Sequence, residues 1–411
     1  MKSDLDFLMH ANQIDAILAT GPGDHNPPMV YLTGGGSLTN ADVLKLRGQA
    51  PVLFHSDIER DEAARTGLRT VNLASYPLGE LMKAANGDFL GSMVLRYQRM
   101  FEEAGLSRGR VALYGRMEAG AALAIFSGLQ KAMPGLSFVS ELGSTVLMQA
   151  MATKDEAEVA RIRRMGQITT QVVGRVADFL TSQRAKDGVL VQADGQLLTI
   201  GEVKKRINLW LAEAGAENPE GTIFAIGYDA AVPHSSGAAS DLLRLGQTII
   251  FDIFPCESGG GYFYDFTRTW CLGYAPDEAL GLYEDVLHVF QTIKYELQVG
   301  APTRQYMQLA CQLFEERGHL TTCSNPQTQE GFVHGLGHGV GLNIHERPMF
   351  SQLASEAERL QPGLVMTVEP GLYYPKRQMG VRLEDTIWVR PDGQVETLAE
   401  YPLDFVLPIK N

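Results

Sequence analysis

The chain has 411 residues, of which 45% are hydrophobic and 20% are charged, proportions typical of a globular protein. This length allows two domains and a large core. The formal net charge is −13 at pH 7. It argues against a nucleic-acid partner, because binding to phosphates requires a basic surface.

The amino-terminal residues and the cysteines indicate the cellular compartment in which the protein is found. The first residues contain no apolar core of signal-peptide length, and no run approaches the roughly 20 apolar residues that a membrane helix needs. The four cysteines form neither a CxxC pair nor a regular disulfide framework, so we expect four free thiols in a reducing compartment. The sequence therefore predicts a soluble, cytoplasmic protein with no membrane partner. The four cysteines are Cys256, Cys271, Cys311 and Cys323.

Residues 1–148 alternate short apolar runs with helical patterns, which predicts a smaller N-terminal α/β domain. The predicted helices cover residues 58–66 and 119–132. The predicted strands are Ile14–Leu18, Met29–Leu32, Val52–His55 and Val111–Tyr114.

Residues 149–411 are predicted to form a second domain with an internal repeat. Thr153 with Glu156 predicts a capping box at the first helix, and Thr199 with Glu202 caps the second. Two further helices are predicted to begin near residue 276 and after Pro302-Thr303. The predicted strand pairs are 246–254 with 262–271 and 364–373 with 380–389. This order predicts a duplicated α+β domain with its site on the pseudo-twofold axis.

A glycine-dense segment, residues 332–348, carries His334, His338 and His345. Its glycines disfavour a helix, so it differs from the helical His-Glu-x-x-His zinc motif, which also needs a glutamate next to its first histidine. It lacks the flanking strand and helix of a dinucleotide site. We predict a loop or twisted strand that brings the imidazoles close together.

Each predicted strand pair carries two acidic residues inside apolar runs: Asp252 and Asp265, then Glu369 and Glu384. A charge in such a position is costly unless it is paired or bound to metal. Any one acid alone could belong to a structural ion pair. Two divalent cations, however, would balance all four charges and leave a neutral histidine as a further ligand. Such ligation suits Mn²⁺, our first candidate, as well as Co²⁺ or Zn²⁺.

Three of these acids, Asp265, Glu369 and Glu384, lie with His338 in four specific strings. The strings are YDFTRT, HGLGHGVGLNIHERP, TVEPGLYY and VRLEDT. With Asp252, they resemble the five-ligand site of the pita-bread metallopeptidases of family M24, which include aminopeptidase P, prolidase and methionine aminopeptidase. The resemblance covers about residues 150–411 and implies a C-terminal pita-bread domain. Tyr31-Leu-Thr-Gly34 resembles the N-terminal domain of aminopeptidase P, prolidase and creatinase, which methionine aminopeptidases usually lack.

The resemblance implies five metal ligands for two divalent ions. Asp252 and Asp265 would bind one metal ion, with Asp265 bridging to the second. His338 and Glu369 would bind the second ion, and Glu384 would bridge. In this family a hydroxide that bridges the two ions attacks the peptide carbonyl.

Further roles follow from the same resemblance. Glu369 would also shuttle the proton, His345 would steady the scissile carbonyl, and His234 would lie on the leaving-group side. His334 and Arg382 match positions that contact the substrate or support the ligands. For His234 and His334 a structural role is the alternative.

Two departures from the family pattern affect the first strand pair. Asp252 and Asp265 are 265 − 252 = 13 residues apart, two more than in the family, and the family's Asp-x-Gly reads Asp252-Ile-Phe254. We expect the extra residues to bulge out beside the turn while the acids stay aligned.

The implied activity is hydrolysis of the X-Pro bond at the N-terminus of short proline-containing peptides, by a homodimer or higher homo-oligomer. We favour aminopeptidase P over prolidase, because prolidases carry an arginine four residues after the position of His345, where this chain has Met349. A creatinase-like amidinohydrolase, which does without metals, and a non-catalytic binding module are the remaining alternatives. The complete set of five ligands argues against both.

Overall fold

The computed structural model describes residues 2–409, which fall into two compact units. The first unit runs to Met151 and includes Gly259–Gly261; the second comprises Ala152–Ser258 and the chain from Tyr262 onwards. The sequence-based boundary between residues 148 and 149 lies inside a helix, Val146–Ala152.

The first unit is built around one six-stranded sheet with the strand order β4-β3-β2-β1-β5-β6. Strands β1–β2 and β2–β3 are antiparallel, and the other pairs are parallel. The elements of this unit in chain order are α1 Leu5–Ala11, β1 Ala16–Gly21, α2 Pro27–Thr33, β2 Ala41–Leu46, β3 Val52–His55, α3 Arg60–Arg65, β4 Arg69–Asn72, α4 Leu78–Ala84, α5 Phe89–Glu103, β5 Gly109–Gly115, α6 Ala119–Ala132, β6 Leu136–Val139 and α7 Val146–Ala152.

One predicted strand of this unit is wrong. Residues Met29–Leu32 belong to helix α2, which starts at Pro27 and ends before Gly34. Proline suits the first helical position because that N–H has no partner within the helix. Gly34 ends the helix in the left-handed conformation, at φ 88°. These terminal signals outweigh the apolar run between them.

The second unit contains a four-stranded sheet, β10-β11-β13-β21, and a five-stranded sheet, β15-β14-β16-β19-β20, beside three strand pairs, β17-β18, β12-β9 and β7-β8. Its elements are α8 Glu156–Ser182, β7 Arg184–Lys186, β8 Val189–Val191, α9 Ile200–Glu213, β9 Ala216–Glu217, β10 Thr222–Ile226, β11 Thr248–Ile253, β12 Cys256–Glu257, β13 Phe266–Leu272, α10 Asp277–Glu296, α11 Thr303–Glu315, β14 Gly337–Gly339, β15 Glu346–Phe350, β16 Val365–Val368, β17 Gly371–Tyr374, β18 Met379–Arg382, β19 Asp385–Val389, β20 Val395–Thr397 and β21 Val406–Leu407. The order of two helices followed by paired strands occurs twice, as the repeat predicts.

The two predicted helix caps have different outcomes. Thr199 does cap α9, because its side chain accepts from the backbone N–H of Glu202. The capping box predicted from Thr153 is wrong: Asp155 is the N-cap of α8, and Glu158 completes its box. Thr153 instead pairs in an extended conformation with Leu364, so the helix begins later.

The second predicted strand pair is divided into shorter strands. Residues 364–373 form β16 and β17, which are separated at Glu369-Pro370, where proline has no N–H to continue a ladder. The partner run, residues 380–389, is interrupted at Leu383-Glu384. Both breaks therefore fall at an acidic residue of the candidate site.

The expectation of four free thiols is wrong for one pair. Cys311 and Cys323 form a disulfide, with their Cα atoms 6.2 Å apart. The loop after α11 returns Cys323 to the buried side of that helix, a proximity that a separation of 12 residues does not encode. Cys256 and Cys271 are free, as expected, and both are buried. Among the helices of residues 2–409, none combines the length and apolar character needed to cross a membrane.

Candidate metal centre

The five proposed ligands lie on strands of the two larger sheets of the second unit or at the ends of those strands. Asp252 lies within β11, Asp265 directly precedes β13, and His338 is the central residue of β14. Glu369 follows β16, and Glu384 lies between β18 and β19. The glycine-dense segment therefore contributes a short strand, as predicted.

A backbone bridge joins the two halves of the repeat at this point. The Glu384 N–H donates to the carbonyl of Thr267 at 3.1 Å, and the Thr267 hydroxyl donates to Glu384 Oε2 at 2.7 Å. Thr267 is also the cross-strand partner of Asp252. Asp265 is thus two residues from the position opposite Asp252, on the same face of the hairpin.

Donor atoms of Asp265, His338 and Glu384 all lie within 4.8 Å of one another. His338 Nε2 is 3.5 Å from Asp265 Oδ2 and 3.5 Å from Glu369 Oε1. Asp265, His338 and Glu384 are buried, and the side chain of Glu369 is partly buried, with 18% of it exposed. One compact space is therefore lined by one imidazole and several carboxylates.

Several carboxylate oxygens of this cluster have no partner. Within the described residues, Asp252 Oδ1, Asp265 Oδ1 and Glu384 Oε1 are buried and accept no hydrogen bond. Burial and the neighbouring negative charges raise the pKa of Asp265 and of Glu384, and burial raises the pKa of Glu369 to about 8. Buried acceptors of this kind are costly unless a cation balances them. The donor set fits divalent metal ions.

The orientation of His338 fits the same interpretation. Its Nδ1 lies 3.1 Å from the carbonyl of Gly339, so Nδ1 carries the proton and donates to it. Nε2 is then a free lone pair facing Asp265 and Glu369. Burial and the adjacent His345 lower the pKa of His338 to about 4, which keeps the imidazole neutral at neutral pH. A neutral ring with its second nitrogen bound to a carbonyl is the usual state of a metal-binding histidine.

Arg382 connects the cluster to the surrounding polar groups. Its Nη2 donates to Asp252 Oδ2 at 2.5 Å, and its Nη1 donates to the Tyr373 hydroxyl at 2.7 Å and to the carbonyl of Pro233 at 3.2 Å. Its Nε donates to Thr267 Oγ1 at 3.3 Å. Arg382 therefore neutralises one carboxylate of the set and fixes its orientation.

The other three histidines line the cavity around the cluster. The ring of His345 packs edge-on against His338, with 4.4 Å between centroids. Partial burial lowers the pKa of His345, and burial lowers the pKa of His334 to about 3. His334 Nδ1 donates to the Gly335 carbonyl, and the hydroxyl of Tyr373, which accepts from Arg382, donates to His334 Nε2 at 2.9 Å. His234 is exposed at the cavity wall.

The cavity has a volume of about 660 Å³. Its wall includes all five proposed ligands, the three further histidines and Arg382. Met349, the cross-strand neighbour of His338, also lines it. Helix α9 contributes Lys204 and Asn208, and Glu220 lies before β10.

The longer turn between Asp252 and Asp265 has a structural role. Cys256–Glu257 do not bulge into solvent but form β12, which pairs with Ala216–Glu217 of β9. Arg161 binds the Glu257 carboxylate with Nε and Nη2, at 2.6–3.1 Å. The turn is therefore held to helix α8 and to β9. Strand β11, which contains Asp252, and strand β13, which Asp265 directly precedes, keep their pairing.

Three supporting residues are absent from the sequence-based set. Tyr373 joins Arg382 to His334, Thr267 holds Glu384, and the Thr367 hydroxyl accepts from the backbone N–H of His338 at 3.1 Å. Each lies two residues from a candidate residue or in a recognised string, so strand alternation is the signal that could have identified them.

Comparison with known proteins identifies relatives along the whole chain. The model of metallopeptidase family M24 matches residues 160–391, more than half of the chain. A protein of Pyrococcus horikoshii named Xaa-Pro dipeptidase is 27% identical over 406 residues, which cover 96% of this chain and 95% of that protein.

Solved structures agree on the fold. The prolidase from Pyrococcus horikoshii OT3 superposes with a TM-score of 0.71 at 22% identity, covering 98% of this chain and 99% of that one. The X-Pro aminopeptidase from Thermotoga maritima gives 0.74 at 22% identity, covering 96% and 97%. At this identity the similarity establishes the fold only. It confirms the predicted α+β pita-bread domain with its N-terminal domain.

Proposed function

Because this chain belongs to metallopeptidase family M24, we propose that it is a metal-dependent dipeptidase that hydrolyses X-Pro dipeptides. The relative that is similar along nearly the whole chain is named Xaa-Pro dipeptidase, which supports this alternative better than the aminopeptidase P favoured from the sequence. Met349 in the cavity wall is the observation that keeps aminopeptidase P as the second candidate.

The proposal of a metal site rests on one observation. Asp265, His338 and Glu384 place donor atoms within 4.8 Å of one another, and two of these side chains have a buried oxygen without a hydrogen bond. Asp252 and Glu369 face the same space. We propose that these five residues hold two divalent ions, with Mn²⁺ as the first candidate and Co²⁺ or Zn²⁺ as alternatives. When bound, such ions polarise a peptide carbonyl and lower the pKa of water.

Glu369 is the proposed proton carrier. Its raised pKa, about 8, matches a carboxylate that takes a proton near neutral pH and gives it up again. In hydrolysis, water adds its oxygen to the carbonyl carbon and the C–N bond breaks. The proline nitrogen carries no hydrogen in the substrate, so it must gain a proton as it leaves. Glu369 would accept that proton from water and deliver it to this nitrogen.

The three further histidines are proposed to orient the substrate. His345, whose ring lies against His338, would donate a hydrogen bond to the carbonyl oxygen as negative charge develops there. His234 would lie on the side of the leaving proline. His334, held by Gly335 and Tyr373, would keep the wall of the cavity in place.

The test compares an X-Pro dipeptide with the matching X-Pro-Y tripeptide, with Mn²⁺ added and after treatment with a chelator. We expect metal-dependent cleavage of the dipeptide and little or none of the tripeptide. Cleavage of the tripeptide would instead establish aminopeptidase P. Cleavage of neither peptide in the presence of Mn²⁺, Co²⁺ or Zn²⁺ would contradict the proposed specificity.

A further inference from the structure

Lys204 is a cation on the cavity wall with no carboxylate partner among residues 2–409. It lies on α9, and its Nζ donates one hydrogen bond, to the carbonyl oxygen of Ser236. Partial burial lowers the pKa of this ammonium group, against the smaller opposing effect of the Asp229 charge. An ammonium group that has lost part of its hydration gains from a negatively charged ligand.

The other side chains of the cavity that could carry a positive charge already have partners or roles within the protein. Arg382 uses four of its five N–H donors within the protein, and its charge is balanced by Asp252 at 2.5 Å. His338 is itself a proposed metal ligand, and both ring nitrogens of His334 are hydrogen-bonded, to the Gly335 carbonyl and to the Tyr373 hydroxyl. Of the two lysine and arginine side chains on the described cavity wall, Lys204 is therefore the one that forms no ion pair with a carboxylate.

A short segment of chain limits the distance between Lys204 and the cluster. Arg382 Nη1 donates to the carbonyl of Pro233, and Lys204 donates to that of Ser236. Three residues span at most about 10 Å when fully extended, and a turn that links Ser235 N–H to the Val232 carbonyl shortens this segment. The two cations thus lie along one wall, within the length of a small peptide.

We propose that Lys204 binds the free C-terminal carboxylate of the substrate and thereby determines the preference for dipeptides. This inference rests on the proposed function and adds the residue that recognises the C-terminal end of the peptide. In an X-Pro dipeptide the carboxylate belongs to the residue after the cleaved bond, so it must enter the cavity with the proline ring. A carboxylate taken out of water needs a charged or hydrogen-bonding partner, which Met349 of the same cavity wall does not offer. In a longer peptide that carboxylate is replaced by a neutral amide.

The test uses the manganese-loaded enzyme and two substrates with the same scissile bond, Ala-Pro and Ala-Pro-amide. Lys204→Met removes the charge and keeps the length of the side chain, and Lys204→Arg keeps the charge. Lys205→Met is the matched control, because Lys205 is exposed on the same helix and does not line the cavity.

We expect Lys204→Met to raise KM for Ala-Pro about ten- to hundredfold, the loss typical of one charged hydrogen bond, with kcat nearly unchanged. Hydrolysis of Ala-Pro-amide should change less than about twofold, and Lys204→Arg should retain most of the preference for the dipeptide. An equal loss on both substrates, or no change on either, would overturn the assignment of Lys204.

Failure of the proposed function is visible in the unsubstituted enzyme, which would then cleave neither substrate or, as an aminopeptidase P, would show no preference for Ala-Pro over Ala-Pro-amide. In that case, binding of L-proline and of L-prolinamide to the manganese-loaded protein is measured by calorimetry. Weaker binding of L-proline alone in Lys204→Met would support the carboxylate site independently of turnover. Equal binding of L-proline by Lys204→Met and Lys205→Met would reject it.

Discussion

Lys154 and Glu346 form an ion pair at 2.7 Å in which both side chains are almost completely buried, with exposed fractions of 1% and 5%. Lys154 lies just before helix α8, and Glu346 follows His345 directly. Glu346 Oε1 also accepts from the backbone N–H of Asn343 at 3.1 Å. The pair therefore attaches the start of the second unit to β15, directly after His345.

Lys154→Met should destabilise the protein by about 3–5 kcal/mol, because it leaves the Glu346 charge buried without a partner. Urea unfolding of the metal-free protein measures this. The double variant Lys154→Met/Glu346→Gln should recover part of the loss. Lys376→Met, which removes an exposed pair with Glu330 at 3.7 Å, should cost less than about 1 kcal/mol. A loss of similar size in both single variants would contradict the assigned role of the buried pair.

Asp265→Asn and Glu384→Gln should each abolish metal binding and peptide hydrolysis together. Both substitutions keep the shape of the side chain but remove a negative charge and one acceptor from the proposed centre. Metal content of the purified variants, measured by mass spectrometry, is compared with turnover of an X-Pro dipeptide. If either variant binds two equivalents of metal and retains full turnover, the dinuclear assignment is wrong.

His345→Ala should lower kcat by about 10²–10³-fold while the metal remains bound, because the proposed hydrogen bond to the developing oxyanion is lost. His288→Ala, at an exposed position of α10, is the control and should keep its activity. Loss of metal from His345→Ala would place His345 among the ligands instead.

The buried neutral state of His334 should make the metal-free protein less stable in acid. Its folded-state pKa, about 3, lies below the ordinary value of 6.5, so the unfolded chain binds the proton first as the pH falls. The free energy of unfolding should therefore decrease from about pH 6.5 downwards, by up to about 3 kcal/mol at pH 4.5. The ring is partly exposed to the cavity, which makes this an upper value.

His334→Gln keeps a group that can hydrogen-bond to Tyr373 but does not titrate in this range. Its free energy of unfolding, measured in urea at pH 7.5 and 4.5 with chelator present, should fall less than that of the unsubstituted protein. Equal losses in the two proteins would show that His334 is protonated normally in the folded state.

The Cys311–Cys323 disulfide predicts the number of reactive thiols. In denaturant without reductant, two thiols per chain should react with a thiol reagent, and four should react after reduction. Replacing both residues by serine should lower the free energy of unfolding by about 3 kcal/mol, from the entropy of closing a loop of this length. Four reactive thiols without reductant would contradict the disulfide.

Local patterns in the sequence were sufficient for most of the second unit. The cap at Thr199, the repeated order of helices and strands and the strand at His338 follow from signals a few residues long. The acids of the site are visible for the same reason, because a carboxylate inside an apolar strand is anomalous wherever that strand packs. The errors at Met29–Leu32 and at Thr153 arose where two local signals disagree. In the first case an apolar run competes with helix-terminal residues, and in the second two possible N-caps lie two residues apart.

Only the tertiary structure decided which distant groups meet. Glu346 is 192 residues from Lys154, and Lys204 reaches the cavity wall because α9 packs beside it. Nothing in the local sequence marks either lysine, since a basic residue on a helix or shortly before one is ordinary. The sequence by itself identified the carboxylates inside apolar strands. It could do so because the free-energy cost of burying a charge is apparent from the apolar residues on either side of it. Partners, cavities and the Cys311–Cys323 disulfide depend on how separate elements pack, which no pattern of neighbouring residues encodes.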